Sequence, residues 1–122
     1  LRSCAGAGGR KMGCRNIEPT SLPDTVRQTV VALCADYSRR ASLIAGGAVS
    51  RRTEIEFRYI NFKILEAAEE IAPERDALTY IDEIGRRVGY AKSAISYIGE
   101  RAYKTQKHEI EINIAKKLHL VD

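Results

Sequence analysis

The sequence predicts an all-α protein: a long helical hairpin, then two further helices around a tight corner, with the last helix extended. Three observations carry that expectation. Tryptophan is absent and only three prolines occur in 122 residues, while helix formers dominate. Apolar residues recur at spacings of three and four. Glycine and proline fall where such runs stop.

Residues 1–20 include the run AGAGGRK and read as a disordered, basic, Gly-rich arm. The run lacks the Gly-Lys-Ser/Thr ending of a phosphate loop, and no strand precedes it. Residues 21–73 form the hairpin. Ser21 offers an N-cap ahead of Pro23 and Asp24. Val26, Val30, Leu33, Cys34, Tyr37, Ala41 and Ile44 follow at helical spacing, so one helix is expected over about 22–45, ended by Gly46-Gly47. Thr53, with Glu56 three residues on, has capping-box spacing and opens the second helix. Its inward stripe is Ile60, Ile64, Ala67, Ala68 and Ile71, widened by Tyr59 and Phe62, and Pro73 stops it.

Residues 74–122 form the last region, one compact unit with the hairpin. A third helix is expected over about 76–88, with Leu78, Ile81, Ile84, Gly85 and Val88 inward. Gly89 is the corner. A fourth helix should start near Ala91 and run at least to Lys107, with Ile95, Ile98 and Ala102 inward. In the tail, Ile110, Ile112 and Ile114 alternate like a strand, but Ile110, Ile114 and Leu118 share a helix face, and nothing breaks the helix before them. Helix is the better reading.

Charge is segregated. Residues 65–84 carry one Arg against seven Asp/Glu, whereas residues 85–108 carry six Lys/Arg against one Glu. The basic block coincides with the stretch IGRRVGYAKSAISYI at 84–98. Taken alone, a charge run is most simply a solvated face. Here a second pattern overlaps it. Ile84 and Gly85 form an apolar-small pair, Val88 precedes Gly89, and Ile95 and Ile98 can seal a steep angle between two helices.

On these residues, roughly 79–102, the chain resembles the helix-turn-helix DNA-binding superfamily. Its layout, with the stretch GYAKSAISYIGERA, is more loosely similar to bacteriophage late-gene transcription regulators of the ArpU/RinA type and to region 4 of sigma factors. Ala91 stands where many such proteins carry a capping Ser or Thr. The resemblance implies a phage- or prophage-related regulator of transcription that reads double-stranded DNA with the helix starting near Ala91. If Ile95 and Ile98 face inward, Lys92, Ser93, Ser96 and Tyr97 face the groove, and Arg86, Arg87, Arg101 and Lys104 clamp phosphates. Such a surface is thin in Arg, Asn and Gln, so low intrinsic specificity is expected. A homodimer follows from the surplus of apolar positions in 22–72 and at Ile110, Ile112, Ile114 and Leu118, and RNA polymerase is a further candidate partner. The alternative is a phage packaging oligomer like the small terminase subunit; a ring of eight or more subunits would distinguish it from a dimeric regulator.

No enzyme is expected. His108 and His119 are far apart in charge-rich segments, and Glu66, Glu69, Glu70 and Glu74 lack His or Cys partners at ligand spacing. No cofactor or metal is called for. Cys4, Cys14 and Cys34 are an odd, widely spaced set, and Cys34 in VVALCA reads as a small core residue. Reduced thiols, no secretory signal and no membrane-spanning run fit a cytoplasmic protein.

Overall fold

The computed structural model describes residues 22–122; the expected arm and the Ser21 cap lie outside the described residues. Five α-helices, α1 (Asp24–Ala35), α2 (Tyr37–Ala45), α3 (Arg51–Glu69), α4 (Glu74–Arg86) and α5 (Glu100–Lys117), make the described part all-α. Two single 3-10 turns, Tyr90–Lys92 and Ser96–Ile98, lie between α4 and α5.

The helix expected over 22–45 is two helices, because the chain bends at Asp36 (φ −95°, ψ 2°). The bend serves packing. α1 lies against α4 and α5, while α2 lies against α3. Arg40, buried inside the bend, holds its shape. Its guanidinium donates to Asn61 Oδ1 on α3 at 2.7 Å and to the Leu33 carbonyl at 2.5 Å, with Asp36 at 3.6 Å. Asn61 in turn donates to the Tyr37 carbonyl at 3.2 Å. A buried charge is tolerated only when its donors are satisfied in this way.

The start of α3 also differs from expectation. Its N-cap is Ser50, in extended conformation, whose Oγ accepts from the Thr53 N–H at 3.3 Å. Ile64, Ala67 and Ala68 face the core as expected, but Tyr59 and Phe62 point to solvent on the opposite side. On α4, Leu78 is exposed. Ala77, Tyr80, Ile81 and Ile84 are the buried hydrophobic positions, with Asp76 and Glu83 buried beside them.

The core gathers Val30, Val31 and Cys34 of α1 with the inner faces of α3, α4 and α5. Ile110 and Ile114 on α5 are fully buried within the chain, and Leu118 packs against them. The tail is therefore helical and intramolecular, and those positions are not free for a dimer interface. Polar ties fix α5 to its neighbours. Arg27 reaches the buried Glu111 at 3.4 Å, Asn113 donates to the Ala67 carbonyl at 3.1 Å, and Lys117 bridges Glu66 and Glu70 at 3.2 and 2.8 Å. Among the described residues no helix is long and apolar enough to cross a membrane.

Candidate nucleic-acid interface

The helix expected from Ala91 to Lys107 does not begin at Ala91; α5 begins at Glu100. Residues 87–99 form an ordered connection between α4 and α5 rather than a short turn. Three local causes explain the difference. Ala91 offers no cap. Ser93 Oγ accepts from the Ile95 N–H at 2.8 Å, a side-chain bond that competes with the helical ladder. Gly99 takes φ +90°, outside any α-helix, and sets the entry to α5.

The corner itself works differently from the expected one. Gly89 has φ −89° and ψ 172°, ordinary extended backbone, and a Cβ there would meet nothing within 4 Å. The left-handed residue is Arg87 (φ 58°), which ends α4 with the Val88 N–H bonded to the Glu83 carbonyl at 3.0 Å and the Arg87 N–H to Ile84 at 3.2 Å. Gly85 is indispensable for another reason. It lies against α1, where an added Cβ would sit 2.6 Å from the Ala35 Cα and N.

Glu83 organises the connection. Buried at the end of α4, its carboxylate accepts from Ser93 Oγ at 2.7 Å, from the Ala94 N–H at 2.8 Å and from the Tyr103 hydroxyl at 2.8 Å. Ile95 is buried below this network, and Ile98 is partly buried. Tyr103 stacks on Tyr80 at 5.5 Å and meets the Tyr90 ring at 5.7 Å. Burial first, then the bond to Glu83, pushes the Tyr103 phenol up to about 12. Lys107 donates to the Val88 carbonyl at 2.7 Å, closing the end of α4, and burial lowers its pKa. Sequence reasoning missed Glu83 as an organiser. A signal was present, since Asp76, Tyr80 and Glu83 recur at helical spacing and all three are buried.

The eight candidate residues divide by what already holds them. Ser93 is half-buried and engaged by Glu83. The Tyr97 hydroxyl donates to the buried Asp76 carboxylate at 2.6 Å, although its ring is exposed. Arg86 pairs with Asp82 at 2.8 Å, which raises its pKa, and Lys104 pairs with Glu100 at 2.7 Å. Arg87, Lys92, Ser96 and Arg101 are exposed. The three cations among them make no ion pair with another described residue, a condition otherwise met among exposed described cations only by Arg51.

Beside Arg87 lies a cleft of about 260 Å³, lined by Arg27, Lys107, Asp24 and Glu111 as well. It falls below the usual range for small-molecule sites, roughly 300–1,000 Å³. Its lining sets three cations, Arg27, Arg87 and Lys107, against two carboxylates, Asp24 and Glu111, and Arg27 is already paired with Glu111 at 3.4 Å. Among the described residues no group of three or more His, Cys, Asp or Glu could hold a metal ion. No protein-family model, curated protein or solved structure matches this chain.

Proposed function

We propose that the chain is a DNA-binding regulatory protein whose contact surface is the 87–99 connection and the first turn of α5. One observation carries the reading. Arg87, Lys92 and Arg101 are exposed, fall within a short segment and make no ion pair with another described residue, whereas most other exposed cations of the described part sit beside a carboxylate. A cation without a carboxylate partner keeps its full charge for phosphate and loses no ion pair on binding. The contacts expected at Arg86 and Lys104 are weaker, because Asp82 and Glu100 already neutralise them. Of the three candidate hydroxyls, Ser93, Ser96 and Tyr97, only that of Ser96 makes no side-chain bond to another described residue. Affinity therefore comes from the backbone of the duplex, with little base discrimination.

Fluorescence anisotropy with a labelled mixed-sequence duplex tests this. Binding should weaken steeply with salt. Each of Arg87→Ala, Lys92→Ala and Arg101→Ala should lower the log–log salt slope by about 0.9, the expectation for one lost phosphate contact. Arg86→Ala and Lys104→Ala should change it less. The triple alanine variant, still folded by circular dichroism, should lose duplex binding at low salt; wild-type affinity in that variant would sink the proposal.

A further inference from the structure

The outer face of α3 stays largely exposed in the described part of the chain, with Lys63 of the same helix over the Tyr59 and Phe62 rings at 5.6 and 5.9 Å and Phe62 at the edge of a groove it shares with Ala41, Ile44 and Ala45 of α2. Ile55, Tyr59 and Phe62, spaced four and three apart, are 54%, 48% and 60% exposed. They form one apolar stripe on a helix about 28 Å long by its 1.5 Å rise. Single exposed apolar residues are ordinary, but a contiguous stripe marks a contact surface.

The charges at the two ends of α3 identify what covers the stripe. Arg51 and Arg52 open the helix, and Glu66, Glu69 and Glu70 close it. Apart from Glu54, which Arg58 holds at 2.8 Å, both ends carry the sign that the helix dipole disfavours. Lys117 answers Glu66 and Glu70 from α5. Arg51 and Glu69 make no ion pair with another described residue. They flank the stripe, Arg51 four residues before Ile55 and Glu69 seven after Phe62.

We infer that two copies of this chain meet through α3, antiparallel, about a two-fold axis beside residues 59–60. That arrangement lays the cationic end of each α3 on the acidic end of the other. Arg51 then faces Glu69 of the second copy, and Glu56 faces its Lys63. Tyr59 and Phe62 of the two copies pack across the axis, flanked by Ile55. A two-fold contact makes each pairing twice, so one patch is complementary to itself. This inference stands on α3 alone and is independent of the DNA reading.

Sedimentation equilibrium of the full 122-residue chain tests it. The chain should be dimeric at tens of micromolar. Phe62→Asp should give a monomer with an unchanged circular dichroism spectrum, because the side chain is exposed in the single chain. Arg51→Glu and Glu69→Arg should each raise the dimer dissociation constant roughly tenfold, since each change sets two like-charge pairs against each other. Combined, they should restore it to within about threefold, the coupling that a direct pair requires. A monomeric wild-type chain, which is what coverage by residues 1–21 or by a different protein would give, overturns the inference. So does an assembly of any size unmoved by Phe62→Asp, or a double reversal weaker than either single one.

Discussion

Arg87 and Gly85 show how much of a corner can depend on single backbone positions. Gly85→Ala drives a Cβ into the Ala35 backbone at 2.6 Å, where neither helix can yield without repacking. It should cost about 1–3 kcal/mol or more, read as a lowered urea midpoint. Gly89→Ala, with open space and an ordinary φ of −89°, should stay within about 0.5 kcal/mol of wild type in the same assay. The sequence marks both glycines but does not say which is tight and which is merely exposed, because that depends on α1. Arg87 is harder still to foresee. A non-glycine residue at φ 58° is strained, and its neighbours give no local sign of it. Arg87→Gly should raise stability by up to about 1 kcal/mol in thermal melts while weakening duplex binding. Stability and binding would move in opposite directions at one residue, as expected where strain is kept for a contact.

At the scale of elements, α3, α4 and the tail of α5 are legible because each has one apolar face of helical period. Ile64, Ala67 and Ala68 on α3, Ile81 and Ile84 on α4, and Ile110 and Ile114 on α5 are all buried. The 87–99 connection is not legible, because its periodicity is real but its backbone obeys Glu83. Ile95 and Ile98 turn toward the core as their spacing implies, yet they do so from 3-10 turns and bends rather than from a helix face. The bend at Asp36 escapes the sequence for a similar reason: the side chain that fixes it, Arg40, is answered from α3, 21 residues away. Of the candidate site, the basic character is legible and the engagement of Ser93 and the Tyr97 hydroxyl is not. Glu83→Ala should strand the Ser93 and Tyr103 hydroxyls and the Ala94 N–H. Of these only Tyr103 is fully buried, and it keeps a long bond to the Val88 carbonyl at 3.4 Å, so a loss of about 1–3 kcal/mol is expected in denaturant unfolding, with faster amide exchange at Ala94.

For the molecule as a whole, Cys34 offers a probe of global opening. It is buried in α1 against the core, and burial pushes its thiol up to about 12. In a chain with Cys4→Ser and Cys14→Ser, a thiol reagent at pH 8 should react no faster than global unfolding permits. A rapid native-state reaction would mean that α1 detaches locally. The connection behaves otherwise. Its anchors come from two helices: Asp76 and Glu83 of α4 hold Tyr97, Ser93 and Ala94, while Tyr103 and Lys107 of α5 hold the Val88 carbonyl, so its full set of bonds needs both. The segment is a clasp across the ends of α4 and α5. A ligand that grips the closed clasp also stabilises the bundle beneath it, by RT ln(1 + [L]/Kd), and loosening the bundle weakens the grip only in proportion to the fraction of chains left open. On the proposed reading, core mutations far from Arg87, Lys92 and Arg101 should weaken duplex binding once they open an appreciable fraction of the clasps.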